Sequence, residues 1–378
     1  MEIYLDNSAT TKSCKEAVDA AVWAMQEEYG NPSSLHRRGF TAQKLCEEAR
    51  SALAAALSCA PSELYFTSGA TEANNMALIG AAEARKRRGK TILVSAVEHP
   101  SVLEAALFLE KQGYRIKKIP PAEDGIFTAE SFAKEVDGDT ILVSAMAVNN
   151  ETGLILPVKE IAKSVKAKNP DVLFHTDAVQ AFLKRPIRLK GSGIDLLSVS
   201  GHKVYAPKGI GALYIKKGVR IAPLLYGGGQ QGGVRSGTEP VPLIAAFGAA
   251  VQKGKQRLSE NMAHYAQLSA FLEERAKAVP QIRMEKRPQH APHIVSLSVY
   301  GIRSETMLHY LEQFGIYVSS GSACSKGKRS HVLEALGVDR MTADETLRIS
   351  FSPDTTQEMI EELICRIAEG ARSLAAQR

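Results

Sequence analysis

Five short segments rich in apolar and β-branched residues recur along the first half of the chain, and each closes in a polar cluster: ELYFTSGAT, TILVSAVEHPS, TILVSAMAVNNETG, VLFHTDAVQ and IDLLSVSGHK. Short apolar runs bounded by turn-forming residues read as buried strands. The spacers carry helical patterns, such as Ser101 to Gln112 and Val158 to Lys168. Strands that alternate with helices build a parallel α/β sheet. In open sheets of this kind, ligands bind beyond the carboxyl ends of the strands. The closing clusters are therefore expected to converge on one site: Gly69-Ala70-Thr71, Glu98-His99, Asn149-Asn150-Glu151, Asp177 with Gln180, and Ser200-Gly201-His202-Lys203.

From about Lys253 the texture changes. A long amphipathic helix is expected through Ala278, followed by strand-like IVSLSVYG, a helix from Ser304, the segment GIYVSSGSAC, the strand LRISFS and a closing helix from Thr356. A chain of 378 residues accommodates two or three domains at about 150 residues each. We expect a large α/β domain over residues 15–252, with a mostly parallel sheet flanked by helices, and a smaller α+β domain from residues 1–14 and 253–378.

Composition narrows the function classes. No apolar run approaches the roughly 18 residues needed to span a bilayer, so no membrane partner is expected. The start, MEIYLDNSATT, carries Glu2 and Asp6 where a signal peptide would have a basic and then an apolar stretch, which makes the cytoplasm the expected location. Five cysteines with no CxxC pair suggest neither a disulfide framework nor a zinc site, and no metal is expected. The charge balance, 47 − 41 = +6, sits in short clusters such as Lys86-Arg87-Arg88 and Lys216-Lys217. A nucleic-acid-binding protein could be proposed from those clusters. It would need a basic stripe with interleaved aromatics, and aromatics make up only 6% of the chain, so no direct nucleic-acid contact is expected.

Two motifs fail on context. Gly227 to Gly232 fits GxGxxG, but Gly233-Val234-Arg235-Ser236-Gly237 follows where a dinucleotide site needs a helix, so a flexible glycine loop is the better account. Gly89-Lys90-Thr91 resembles the end of a P-loop, yet Ala84 stands where the first glycine belongs and a strand follows where it should precede.

The convergent groups suit an aldehyde cofactor that bears a phosphate. A glycine-containing turn opening a helix near Thr71 presents free backbone N–H groups and a positive dipole end, which favour an anion; Thr71 alone could equally be a helix cap. Lys203 at a strand end could form a Schiff base, since a desolvated lysine near other cations is a better nucleophile.

The blocks LDNSATT, FTSGATEANN, VEHPSV, VNNETG, HTDAVQ, SGHKVYAPKGIGALY, RSGTEP and SSGSAC follow one another in the order seen in NifS/IscS-like cysteine desulfurases, and the chain resembles that family over nearly its whole length. These are fold-type I pyridoxal phosphate enzymes of the class V aminotransferase group. The resemblance implies that Lys203 holds pyridoxal 5'-phosphate as a Schiff base and moves the substrate's Cα proton. It implies that Asp177 pairs with the ring nitrogen, His99 stacks on the ring and exchanges protons with the substrate thiol, Gln180 bonds the ring hydroxyl, and Asn150 lies near ring and substrate. Phosphate contacts are implied for Ala70, Thr71, Ser200, Gly201 and His202, with Thr238 reaching across from a second subunit of a homodimer. Arg348 matches the arginine that takes the substrate carboxylate, by a planar fork that lysine cannot reproduce.

Cys324 separates this reading from a general aminotransferase, which needs no thiol in a Gly/Ser-rich loop. SSGSACSKGKRS looks mobile by composition, and Lys326, Lys328 and Arg329 could favour the attacking thiolate. The activity implied is conversion of L-cysteine to L-alanine with the sulfur carried on Cys324 as a persulfide, for iron–sulfur cluster assembly or for thiolation of tRNA or cofactors. A selenocysteine lyase or a small-amino-acid transaminase is the nearest alternative; dependence on Cys324, and alanine formed without an added keto acid, would separate them. The loop after Cys324 is slightly shorter than in housekeeping members, and GGGQQGGV lacks the charges that often follow those glycines, so the sulfur acceptor stays open.

Overall fold

A seven-stranded sheet organises the larger part of the computed structural model, which describes residues 2–284, 289–321 and 330–375. In spatial order its strands are Leu64–Thr67, Gly211–Ile215, Leu196–Ser200, Leu173–Asp177, Thr140–Ser144, Thr91–Ser95 and Arg115–Ile119. Only Gly211–Ile215 runs against the rest, pairing antiparallel with both of its neighbours. Six strands therefore end at one edge, as the alternation of strand and helix predicts. The five central strands are buried at every residue, which is why segments such as TILVS carry so little polar side chain.

Two strands escape sequence reading. Arg115–Ile119 sits at the sheet edge with its basic side chains partly in solvent, and edge strands carry charge without loss of burial. Gly211–Ile215 follows a run of glycine, proline and lysine that reads as a loop.

Helices cover the sheet where the pattern places them: Pro100–Lys111 begins one residue before the expected span, and Val158–Lys168 matches it. The single helix expected from Lys253 to Ala278 is two, Val241–Gln256 and Leu258–Ala276, broken at Arg257. The break lets each half serve a different core. Ile244, Phe247 and Val251 join the apolar cluster of the large sheet, whereas Tyr265, Leu268 and Leu272 join a second cluster with Val295, Leu297, Ile349 and Ile364.

That second cluster lies against a four-stranded antiparallel sheet of Ser319–Ser320, Thr346–Ser350, Ile294–Val299 and Ile282–Met284. Ile3 and Leu5 also belong to it, and Ile3–Tyr4 pairs parallel with Ile316–Tyr317. The chain then runs from Asp6 to Thr11 across to the large sheet. Asn7 Nδ2 donates to the Ser350 carbonyl at 2.9 Å, and Thr11 Oγ1 donates to the His202 carbonyl at 2.9 Å. Among the described residues no helix is long and apolar enough to cross a membrane.

Candidate active site

A cleft of about 740 Å³ opens at the edge where the strands end, with Asp6, Ser8 and Arg348 closing its far side. Ala70, Thr71, His99, Asn150, Asp177, Gln180, Ser200, His202 and Lys203 all line it. Gly201 lies directly beneath, buried: a Cβ there would sit 2.7 Å from Ile210 Cγ2, so the turn after Ser200 closes this tightly only with glycine. Thr238 is exposed and outside the cleft of its own chain. Cys324 lies outside the described residues; Ser319, two residues before Gly321, lines the cleft.

Lys203 ends a single 3-10 turn, Gly201–Lys203, that follows the strand Leu196–Ser200. Its Nζ donates to the carbonyl oxygens of Ser8 and Ala9, the latter at 2.7 Å. Gln180 Nε2 donates to the same Ser8 carbonyl at 3.0 Å. The segment LDNSATT thus gives the amine and the amide a common backbone anchor, a role its side chains do not advertise. Behind the amine, Lys184 is buried and donates to Tyr205 Oη at 3.0 Å. Burial, reinforced by the charge of Lys203, brings Lys184 down to about 7.

The helix Ala70–Arg85 starts at the cleft, capped by Gly69, so Thr71 is its second residue and not its cap. Its first-turn N–H groups have no partner within the helix, and they face the same opening as the Ser200 and Thr71 side chains. Glu72 in that turn would repel an anion, but Arg235 Nε donates to its Oε1 at 2.7 Å and Ser68 N–H donates to its Oε2 at 2.7 Å. Burial drives the His202 imidazole down to about 4, and Lys203, Lys208 and His99 push it the same way, so it is neutral at pH 7.

Asp177 ends the middle strand, nearly buried. Its Oδ2 accepts from Asn74 Nδ2 at 2.7 Å, and its Oδ1 accepts from Val179 N–H at 2.9 Å. His99 caps the helix Pro100–Lys111, its Nδ1 accepting from Ser101 N–H at 3.1 Å. Burial holds its imidazole below the usual histidine range, against an upward pull from Asp177 and with Lys203 and His331 adding to the depression. Beside it Glu98 is fully buried; Ser95 Oγ and Met146 N–H both donate to its Oε1 at 2.6 Å. Burial pushes that carboxyl up to about 8, despite those two bonds.

Arg348 reaches the cleft from the other sheet, nearly buried. One terminal nitrogen donates to Asp6 Oδ1 at 2.8 Å and the other to the Asn150 carbonyl at 3.1 Å, while Nε is buried with no hydrogen-bond partner. Asp6, Asn74 and Ser101 were not singled out by sequence reasoning. Asn74 had a signal, since it lies three and four residues beyond Thr71 and Ala70 and so on the same helix face. Asp6 stands inside the LDNSATT block but only tertiary structure pairs it with a residue 342 positions away.

The donor set fits pyridoxal phosphate: a helix start and hydroxyls for a dianion, an amine for an aldehyde, and a carboxylate for a ring nitrogen, all in one cleft. Of the other cysteines, none lines this cleft; burial pushes the Cys46 and Cys59 thiols up to about 12 and raises Cys14 as well.

Comparison with known proteins agrees. The model of the family "Aminotransferase class-V" matches residues 3–363. The chain is 39% identical over 381 residues to cysteine desulfurase IscS of Dictyoglomus turgidum, covering 99% of this chain and 96% of that protein. It is 40% identical over 375 residues to cysteine desulfurase IscS of Methanosarcina thermophila, covering 98% and 92%. A solved NifS-like protein superposes with a TM-score of 0.92 at 38% identity, covering 98% of this chain and 99% of that one. The structure of SspA in complex with cysteine superposes at 0.82 and 32% identity, covering 94% and 100%. The chain belongs to the class-V aminotransferases, a family of pyridoxal phosphate enzymes, and within it to the cysteine desulfurases.

Proposed function

We propose that this desulfurase takes the sulfur of L-cysteine onto Cys324 and releases L-alanine, with the cleft residues in the following roles. Lys203 carries the cofactor and then, freed by substrate, removes the Cα proton. Ala70, Thr71, Ser200, Gly201 and His202 hold the phosphate, with Thr238 supplied by a second copy in a homodimer; its exposure outside its own cleft supports that assignment. Asp177 keeps the ring nitrogen protonated, Gln180 bonds the ring hydroxyl, and His99 lies on the ring. When bound, pyridoxal phosphate supplies the electron sink that stabilises charge at Cα and so weakens the Cβ–S bond.

Arg348, with Asn150 beside it, takes the substrate carboxylate. The unpartnered Nε supports this, because a buried guanidinium donor left open is costly until an acceptor meets it. A deprotonated Cys324 attacks the substrate sulfur: the new S–S bond forms as Cβ–S breaks, and the carbon fragment takes up protons to become alanine. The persulfide then passes to an acceptor such as an iron–sulfur scaffold or a tRNA-thiolation enzyme, from a protein we place in the cytoplasm. The domain reading is part of the same proposal: residues 15–252 carry the cofactor, and residues 1–14 with 253–378 carry the thiol.

The observation that carries this reading is the meeting of an amine, a carboxylate, a helix start and a buried arginine in one cleft. The test is to incubate the purified protein with L-cysteine and measure alanine and protein-bound persulfide. Cys324→Ala should abolish the persulfide and turnover while the yellow cofactor stays bound; native-rate alanine and persulfide from that variant would overturn the assignment.

A further inference from the structure

A chain of hydrogen bonds runs from Asp177 to His99 through two residues to which the roles above assign nothing. Asn74 Nδ2 donates to Asp177 Oδ2 at 2.7 Å and to Ser101 Oγ at 2.8 Å, and Ser101 Oγ lies 2.8 Å from His99 Nδ1. Asn74 is fully buried and Ser101 nearly so.

The direction of every bond follows from the two ends. At one end Ser101 N–H, which can only donate, points at His99 Nδ1, so that nitrogen must present its lone pair. Ser101 Oγ is then the donor to Nδ1, and its oxygen is left to accept from Asn74. At the other end an ionised Asp177 can only accept, so the amide of Asn74 must turn its NH2 toward it. Flipping that amide would set Oδ1 against the carboxylate and leave Ser101 Oγ without a donor. Asn74 Oδ1 in fact has no partner, which is the cost of pointing both N–H bonds at Asp177 and Ser101.

We propose that Asn74 and Ser101 are positioning residues that lock His99 as the tautomer protonated on Nε2 and tie that lock to the ionised state of Asp177. His99 then meets ring and substrate as a neutral Nε2–H donor, and it takes a second proton only by breaking its own helix cap. This deepens the role proposed for His99 and rests on that reading of the cleft. The charged and titratable groups around the imidazole are Asp177, Lys203, His202, His331 and Glu98, and of these Asp177 alone is joined to it by the relay.

The test is to label histidine with 15N in the full chain loaded with pyridoxal phosphate, and to assign His99 by its loss in His99→Gln. Wild type should show His99 with Nδ1 unprotonated and Nε2 protonated throughout the neutral range. Ser101→Ala keeps the main-chain donor and loses the hydroxyl, so it should weaken the lock and admit a minor Nδ1–H population, move the acid limb of the kcat profile to higher pH, and lower kcat about tenfold with KM nearly unchanged, the size of one hydrogen bond in a network. Ser101→Thr, which keeps the hydroxyl, should restore both signal and rate. A wild-type His99 protonated on Nδ1, or a Ser101→Ala spectrum identical to wild type, overturns the proposal. The wild-type signal decides the tautomer even if Ser101→Ala does not fold. A wild type with the expected signal that makes no alanine would sink the role in desulfuration and leave the lock standing.

Discussion

Two histidines of one sheet, one inside a strand and one just beyond a strand end, meet opposite treatment. His175 lies inside the strand Leu173–Asp177, fully buried, with Nδ1 2.9 Å from Ser144 Oγ and Nε2 3.0 Å from Ser198 Oγ. Both nitrogens are spent on adjacent strands, and burial brings its imidazole down to about 3. His99 lies beyond the end of Thr91–Ser95, with one nitrogen held by its helix and the ring at the cleft. Inside the sheet His175 has both ring nitrogens partnered, whereas at the cleft Arg348 Nε is buried without a partner. A buried donor left open where it lines a cleft is suited to binding, because its burial cost is recovered when a ligand supplies the acceptor.

This contrast can be broken by variants that should affect either activity or stability, not both. Lys203→Ala should lose the yellow colour and drop turnover by about 10⁴ or to background, while its melting temperature stays within a few degrees of the wild-type protein stripped of cofactor. Arg348→Lys should lower kcat/KM for cysteine about 10- to 100-fold, the loss of a charge-assisted fork, with the cofactor spectrum unchanged in a titration. His175→Gln should leave turnover per folded molecule nearly intact yet lower stability by about 2 kcal/mol in a denaturant melt, as Ser144 or Ser198 loses a partner.

The same point is sharpened through pH. His175 binds a proton in the unfolded chain near pH 6.5 but resists it when folded down to about 3. The unfolded state therefore holds more protons in that window, so stability falls as pH drops from 6.5 toward 3, by at most about 1.4 kcal/mol per pH unit. Denaturant midpoints measured across that range should fall less steeply in His175→Gln than in wild type. An equal slope would mean that the acid sensitivity comes from other groups.

How much of this was legible depends on how local each signal is. The buried strands announce themselves, as TILVS does twice, because a strand covered on both faces needs no polar side. Polar residues just past such strands belong at the ligand edge by topology alone, which is how His99, Asn150, Asp177 and Lys203 were found. The reversed strand Gly211–Ile215 was missed because its direction is set by pairing with Leu64–Thr67 and Leu196–Ser200, which no local pattern encodes. Arg257 gives no sign that a helix breaks there, since the break answers to two separate cores. Asp6 and Ser101 were invisible for a related reason: one finds Arg348 across the fold, and the other acts through a side chain it touches only after the helix is capped. The glycine loop at Gly227 read as flexible, yet buried Gln231 pins it, accepting from Phe66 N–H at 2.8 Å.

The strand that runs backwards has a further result. Its first residue, Gly211, lies against Gly69 so closely that a Cβ would come within 2.8 Å of the Gly69 Cα, and Gly201 N–H donates to the carbonyl of Ile210 at 2.9 Å. The helix opening and the lysine turn are thereby braced on one short stretch of main chain, with no side chain between them to vary. Whatever drift the surrounding residues undergo, the span between the two tethers of a molecule clamped there is set like the gap of a fixed-jaw caliper, and only a change at one of these glycines could reset it.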